Sequence, residues 1–204
     1  DPDVTHGAIV RVVVEPGEPG GGVSFAGGEG IGTVTLPGLP LPVGEPAINP
    51  NPREYITANI TAAAERIGVA PDVRVTVSID DGARIAEKTW NSRIGVLGGL
   101  SVLGTTGVVV PYSCSAWIAS IHRGIDVAIA TGATHAAACT GSTSERVAEE
   151  LYPGIELLDM GDFAGAVLKY LRKHPLPTLT IVGGVAKLSK LAAGYLDLHS
   201  HRTR

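Results

Sequence analysis

The chain has few cysteines, few charged residues and no long apolar run. Each of these absences excludes a class of protein. Its two cysteines, Cys114 and Cys139, are too few for a disulfide framework and fit a reducing cytoplasm. No uninterrupted apolar run approaches the roughly 18 residues that are typical of a membrane span, and no signal peptide opens the chain. The sequence therefore predicts a cytoplasmic protein without a membrane partner.

Basic charge is scarce as well. The net charge of −4 argues against a nucleic-acid partner, because nucleic-acid-binding proteins usually carry a basic excess. Hydrophobic residues make up 44% of the 204 residues, so the chain can fold as one large globular domain or two small ones. An anionic ligand would have to be bound by local Arg or Lys side chains or by backbone N–H groups.

The first half of the chain alternates strand-like runs with turns. A proline-rich stretch, residues 36–54, is expected not to form regular structure. It leads into a helix predicted over residues 54–67, which Gly68 ends. These features predict an α+β domain over residues 1–92, with strands at residues 9–14, 23–25, 33–36 and 73–79.

From residue 93 onward, strands alternate with helices. This alternation predicts a mostly parallel sheet with crossover helices, that is, an α/β Rossmann-like domain over residues 93–204. Ser113 is expected to cap the first of the helices. The predicted strands cover residues 94–97, 134–139, 155–158 and 179–182, and the predicted helices cover residues 114–129, 144–151, 162–172 and 186–195.

Small residues follow each predicted strand of this second half. Ligands of open parallel sheets bind beyond the carboxyl ends of the strands, where glycines let a ligand approach the backbone. Asp159 is an acid at one strand end, and its carboxylate can accept hydrogen bonds from both hydroxyls of a ribose. Because ordinary β–α turns also favour Gly, Ser and Thr, both a plain turn and an adenosine-containing cofactor site remain open. The other residues at these ends are Gly98, Gly99, Thr140, Gly141, Gly183 and Gly184.

Several other candidate sites have a simpler explanation. The glycine-rich segment at residues 27–32 precedes a strand instead of opening a helix, so it lacks the context of a dinucleotide fingerprint. The six histidines show no four-ligand spacing, and no protein-bound metal is expected. Cys114 has no paired general base that would make it a nucleophile. Trp117 lies in an apolar run and is interpreted as a core residue.

Five segments, taken together, resemble the CbiD family. They are DPDVTHG (1–7), GGEGIGTVTLPGL (27–39), VGEPAINPNPR (43–53), NSRIGVLGGLSVLGTTGVVVPYS (91–113) and KLSKLAAG (187–194). That family methylates carbon 1 of cobalt-precorrin-5B during cobalamin biosynthesis, with S-adenosylmethionine as the methyl donor. The resemblance therefore implies this activity and a tetrapyrrole substrate. It also implies that the family's usual N-terminal segment, rich in Thr, Gly and Ala, is missing ahead of Asp1.

The resemblance implies roles for residues inside these segments. In the first segment, Asp3, Thr5 and His6 form a candidate catalytic cluster, in which His6 could handle a proton because the pKa of imidazole lies near neutrality. A capped turn is the alternative explanation of that cluster. In the fourth segment, the donor site would gain the residues Ser101, Gly104, Thr105 and Thr106.

Binding of the acceptor is assigned to polar residues of the same segments. Arg53 and Arg93 can form bidentate contacts with carboxylates, although either could instead tie down a surface loop. Lys187 stands at a helix start, where the helix dipole disfavours a cation unless it faces a ligand. The implied acceptor set is completed by Glu29 and Asn49.

The methyl transfer implied by the resemblance needs no protein nucleophile, because the methyl group of a sulfonium is already activated. It needs the donor and the acceptor to be aligned. Composition and loop spacing alone leave two other functions open. One is a nicotinamide-dependent reductase that uses the same strand ends, and the other is a non-catalytic tetrapyrrole-binding subunit. Whether the chain forms homo-oligomers is left open too.

Overall fold

The computed structural model describes residues 4–103 and 113–200. The chain divides into two compact units, Asp1–Pro111 and Tyr112–Arg204. The sequence prediction places this boundary earlier, between residues 92 and 93. The difference arises because strand β5 (Val96–Leu97) pairs with strand β3 (Thr33–Val34), so residues beyond 93 are joined to the first unit.

The first unit contains a three-stranded sheet in the order β1-β4-β2. Strand β1 (Val10–Pro16) pairs antiparallel with β4 (Val73–Ile79), and β2 (Val23–Gly27) pairs parallel with β4. Alternate side chains of β4 point into the core, as the period of two in a strand requires. The buried residues of this core are Ile31, Ile48, Val75, Val77, Ile79 and Leu100, with Ile56 and Ile60 packed against them.

Helix α1 (Pro50–Ile67) begins four residues before its predicted start. Asn49 takes the N-cap position, and Pro50 and Pro52 lie in the first turn, where the missing N–H of a proline costs no helical hydrogen bond. Gly68 ends the helix in the left-handed conformation, with φ of 72°, as the sequence predicts.

The predicted strand at residues 94–97 is not the first strand of a parallel sheet. Residues Asn91–Ile94 form a 3₁₀ turn, and β5 pairs antiparallel with β3 of the first unit. The prediction fails here because the β5 run is only two residues long and its partner lies far away in sequence. A short helix, α2 (Gly82–Ala86), follows β4.

The second unit confirms the predicted alternation of strands and helices. Its parallel sheet has the order β7-β6-β8. The strands are β6 (His135–Cys139), β7 (Glu156–Asp159) and β8 (Thr178–Val182), and the helices are α3 (Cys114–Ala130), α4 (Ser142–Leu151), α5 (Ala164–Leu171) and α6 (Val185–Ala192).

Helices cover both faces of this sheet. On one face, Ala136 and Ala138 of β6 pack in a cluster with Ile121 and Ile125 of α3. On the other face, Ala137 and Cys139 pack with Ala148 of α4. Small side chains on the central strand let helices approach closely from both sides. The second unit is therefore a mixed α/β structure built on parallel strands.

Ser113 caps helix α3 as the sequence predicts. Its side-chain oxygen accepts a hydrogen bond of 3.1 Å from the backbone N–H of Ala116. Within the two described ranges, none of the helices combines the length and the apolar character needed to cross a bilayer.

Candidate functional site

A pocket of about 440 Å³ lies at the carboxyl edge of the parallel sheet in the second unit. Cys139 of β6 and Asp159 of β7 are paired neighbours, so the residues that follow these two strands meet at this edge. The volume suits a small-molecule ligand. The pocket is lined by Cys114, Trp117, Thr140, Gly141, Asp159, Gly161, Asp162, Phe163, Lys187, Asp197 and His199.

The turn after β7 is held against the end of β6 by its backbone. The N–H groups of Met160 and Gly161 both donate to the carbonyl oxygen of Cys139, at 2.9 and 3.2 Å. Gly161 has φ of 56°, which favours glycine. A Cβ at this position would lie 3.5 Å from the indole of Trp117. The tight turn therefore fixes Asp159 and Asp162 beside that indole.

The indole of Trp117 forms an apolar wall of the pocket. The side chain is 42% exposed, so its interpretation as a core residue is wrong. Trp117 lies four residues before buried Ile121, on the same face of α3, but in the first turn of the helix, next to the pocket. Its ring lies 6.5 Å from that of Phe163, tilted by 46°. Such a wall can stack on a flat heterocycle or attract a cation.

The fixed charges of the pocket are predominantly negative. Among the described residues, its lining includes three carboxylates, those of Asp159, Asp162 and Asp197, and one ammonium, that of Lys187. The Nζ of Lys187 lies 3.0 Å from Oδ1 of Asp162 and donates to the carbonyl oxygen of Thr140 at 3.3 Å. The Asp162 contact is an ion pair without hydrogen-bond alignment, because Oδ1 is covered yet has no hydrogen-bond partner. The pocket thus favours ligands with excess positive charge.

The structure brings together four of the sequence-predicted site residues: Thr140, Gly141, Asp159 and Lys187. Gly183 lies beside them, because a Cβ there would be 2.8 Å from the side chain of Thr140. Gly184 is the N-cap of α6 and is exposed. Sequence reasoning missed the charge partner Asp162. Its position three residues beyond Asp159, in the turn that starts the next helix, was the available signal.

Gly98, Gly99 and Ser101 are not at the edge of the parallel sheet, because they follow β5 in the first unit. A Cβ on Gly99 would meet the backbone carbonyl of Gly30, so this glycine allows two chain segments to pack closely. Ser101 donates to the side-chain oxygen of Asn91 at 3.4 Å. The predicted residues Asp3, Gly104, Thr105 and Thr106 lie outside the described residues.

The guanidinium of Arg53 is engaged by its own loop. It donates to the carbonyl oxygens of Ile48, at 2.8 Å, and Pro46, at 3.2 Å, and pairs with the carboxylate of Glu45 at 2.9 Å. It also lies 5.5 Å from the centre of the Phe25 ring. These contacts favour the loop-tying alternative for Arg53.

The other predicted residues of the first unit occupy turns and caps. Asn49 donates its backbone N–H to the carbonyl of Val102 and makes no side-chain cap. Glu29 and Arg93 have exposed side chains. His6 is exposed, and Thr5 accepts a backbone hydrogen bond in the same turn. Their predicted catalytic and acceptor-binding roles stay predictions.

Comparison with known proteins bears on the whole chain. The chain is similar to curated proteins named cobalt-precorrin-5B C(1)-methyltransferase. The one from Methylorubrum extorquens is 60% identical, over 99% of this chain and 56% of that protein. The one from Bradyrhizobium sp. is 58% identical, over 98% of this chain and 54% of that protein. The chain spans about half the length of the curated relatives it matches. A solved structure of a cobalamin biosynthesis protein, cbiD, from Archaeoglobus fulgidus is 26% identical, with a TM-score of 0.43, over 99% of this chain and 62% of that one.

A family model described as CbiD matches residues 1–111 of the 204. This match and the curated relatives confirm the resemblance seen in the sequence segments. The chain belongs to the CbiD family.

Proposed function

We propose that the second unit binds S-adenosylmethionine in the acidic pocket, as the methyl-donor site of a cobalt-precorrin-5B C(1)-methyltransferase. The names of the relatives support the reaction, and the pocket is the site proposed for the donor. The observation that carries the donor assignment is the charge of the pocket, three carboxylates against one ammonium. S-adenosylmethionine carries a sulfonium and an ammonium against one carboxylate, so its charges complement those of the pocket.

The same charges disfavour the reductase alternative. A nicotinamide dinucleotide has an anionic pyrophosphate, which three neighbouring carboxylates would repel. Pyrophosphate sites in dinucleotide-binding folds use free N–H groups at a helix start. Here the N–H of Gly141, at the start of α4, already donates to Oγ of Ser144 at 3.0 Å. Charge and hydrogen bonding both favour a sulfonium ligand.

In this proposal the second unit is a Rossmann-like domain, and Asp159 receives the ribose hydroxyls at the end of β7. Trp117 offers its ring to the adenine or to the sulfonium, for which stacking and cation–π attraction are the physical reasons. Gly141 leaves open space beside the ligand, since a Cβ there would meet nothing within 4 Å. Asp159 ends β7, Gly141 caps α4, and Trp117 lies in the first turn of α3.

The bound donor would supply an activated methyl group. The residues of the pocket then have three tasks, which are to bind the adenosyl group, to hold the sulfonium in one orientation and to keep water away. Alignment of donor and acceptor accounts for most of the acceleration in such displacements. The carboxylates also favour the cationic donor over its neutral thioether product, which assists exchange of product for fresh donor.

The acceptor would be the tetrapyrrole that the relatives' names describe, and the reducing cytoplasm is the proposed location. The thiols of Cys114 and Cys139 are both free, which fits that compartment. Among the described residues, no group of three or more His, Cys, Asp or Glu side chains is arranged to hold a metal ion. Any cobalt would enter the site as part of the substrate.

Isothermal titration calorimetry tests the donor assignment. The wild-type chain should bind S-adenosylmethionine and should not bind NADPH. Asp159→Asn should weaken binding of S-adenosylmethionine by about tenfold or more, because hydrogen bonds to a charged group contribute about 1.5–3 kcal/mol. Glu156→Gln is the matched control, since Glu156 is an exposed acid of the same strand outside the pocket lining.

The control should keep wild-type affinity. Equal affinity of Asp159→Asn and wild type would remove Asp159 from the ribose role. Binding of NADPH in preference to S-adenosylmethionine would replace the proposal by the reductase alternative. Methyl transfer itself is measured as release of S-adenosylhomocysteine in the presence of the tetrapyrrole.

A further inference from the structure

We infer that the ion pair between Lys187 and Asp162 is the binding site for the amino-acid end of the methyl donor. Lys187 would bind the α-carboxylate, and Asp162 would bind the α-ammonium. This inference rests on the proposed function, because it assigns one end of the ligand placed in the same pocket. It also moves Lys187 from the acceptor set, where the sequence placed it, to the donor.

The position of Lys187 in its helix supports a ligand-binding role. Lys187 is the third residue of α6, in the first turn, where the positive end of the helix dipole disfavours a cation. Its ammonium is held there by Asp162, 3.0 Å away, and by the carbonyl of Thr140 at 3.3 Å. Both contacts come from turns at the carboxyl edge of the sheet, so the ammonium is fixed at the pocket wall.

The pair keeps unused capacity for a ligand. The side chain of Lys187 is 35% exposed and that of Asp162 is 24% exposed, so each retains an open surface on the pocket. An ammonium has three N–H donors, and within the described part of the chain Nζ donates a hydrogen bond to the carbonyl oxygen of Thr140 alone. Oδ1 of Asp162 is covered by the chain and makes no hydrogen bond, so a ligand would reach this carboxylate from its exposed part. The charges of the two side chains cancel, but the ammonium of Lys187 still has N–H donors that make no hydrogen bond within the described chain.

A zwitterionic α-amino acid group can pair with the ammonium of Lys187 and the carboxylate of Asp162 at the same time. Its carboxylate adds a negative charge beside Lys187, and its ammonium adds a positive charge beside Asp162, so the four charges alternate in sign. Neither protein side chain has to lose or gain a proton. A ligand with only a carboxylate would meet the repulsion of Asp159 and Asp197, which line the same pocket. The arrangement therefore selects an α-amino acid group over a simple acid.

Calorimetry with two ligands separates this inference from the proposed function. S-adenosylmethionine has the amino-acid group, and 5′-methylthioadenosine has the same adenosine without it. The wild-type chain should bind S-adenosylmethionine at least about tenfold more tightly. Lys187→Met should weaken binding of S-adenosylmethionine by about tenfold or more and change binding of 5′-methylthioadenosine by less than about twofold. Lys169→Met, an exposed lysine of α5 outside this pocket, is the matched control.

A third ligand assigns the two charges individually. Decarboxylated S-adenosylmethionine keeps the ammonium and lacks the carboxylate, so Lys187→Met should not weaken its binding, whereas Asp162→Asn should weaken it. Equal weakening of all three ligands by Lys187→Met would show a purely structural lysine and overturn the inference. Equal wild-type affinities for S-adenosylmethionine and 5′-methylthioadenosine would also overturn it while leaving the proposed function intact. Binding of neither would overturn both.

Discussion

Selected glycines of the two units have opposite surroundings. In the first unit, Gly30, Gly82 and Gly99 pack backbone against backbone, and a Cβ on any of them would meet main-chain atoms. In the second unit, a Cβ on Gly141 or Gly184 would meet nothing within 4 Å. Glycines that look alike in the sequence therefore serve close packing at these three positions and leave open space at these two. The space around the absent Cβ distinguishes the two uses.

The glycine contrast predicts the largest effect. Gly99→Ala should lower the free energy of unfolding of the first unit by about 3 kcal/mol or more, because the new methyl group meets the backbone of Gly30 and Ile31, which cannot move aside cheaply. Gly184→Ala should change the stability of the second unit by less than about 1 kcal/mol, since the methyl group enters open space at φ of −65°.

Urea unfolding followed by tryptophan fluorescence measures each unit separately. The chain has two tryptophans, Trp90 in the first unit and Trp117 in the second. In a Trp117→Phe background only Trp90 reports, and in a Trp90→Phe background only Trp117 reports. If Gly99→Ala and Gly184→Ala lowered the free energy of unfolding equally, the proposed difference between packed and open glycines would be wrong.

The cations show the same contrast with a smaller expected effect. The guanidinium of Arg53 donates hydrogen bonds to two carbonyl oxygens and a carboxylate of its own loop, whereas Lys187 lines the pocket. Arg53→Lys should lower the stability of the first unit by about 1–2 kcal/mol, because an ammonium cannot reproduce the planar set of contacts. Arg66→Lys, on the exposed last turn of α1, is the control and should be neutral.

The acceptor role predicted for Arg53 has a different signature. In that case Arg53→Lys would leave the urea midpoint of the first unit unchanged and would raise the KM for the tetrapyrrole in the methyl-transfer assay. This result would show that the guanidinium leaves its loop contacts to bind substrate.

The carboxylates give the smallest expected effect. Asp72 accepts hydrogen bonds of 2.8 Å from the backbone N–H groups of Gly20 and Gly22, which lower its pKa below the ordinary value of 3.8. A carboxyl group whose pKa is lower in the folded state stabilises the fold above its unfolded pKa, and this contribution is lost as pH falls through the folded pKa.

Carbon NMR titration of the Asp72 carboxyl group should therefore show a midpoint below 3.8. Asp72→Asn should remove part of the fall in stability of the first unit below about pH 4, the region of an ordinary aspartate pKa. A midpoint at or above the ordinary value would show that the two N–H groups do not engage the carboxylate in solution.

The alternation of strands and helices in the second unit could be predicted because each element has a strong local signal. Ser113 as a cap and Gly68 as a helix end are examples in which one residue's chemistry fixes a boundary. The pairing of β5 could not be predicted, because two residues carry no periodicity and their partner β3 is distant in the sequence. The start of α1 was placed late because Pro50 and Pro52 resemble helix breakers unless the first turn is recognised.

The candidate site could be predicted in part. Thr140, Gly141 and Asp159 follow from the rule that ligands bind at the carboxyl ends of parallel strands. Trp117 was missed, since an apolar run on a helix does not reveal which turn extends to a pocket. The partnership of Lys187 with Asp162 depends on tertiary contact between two turns that lie 25 residues apart in chain numbering, and no local pattern encodes it.

The turn that carries Asp159 and Gly161 has one further consequence. Met160, the single methionine in the sequence, lies between them and is fully buried. Protein labelled with ¹³C at methionine methyl groups would therefore give a resonance from Met160, a buried site between two residues of the pocket lining. Its chemical shift can be followed during titration with each ligand, without any further alteration of the chain.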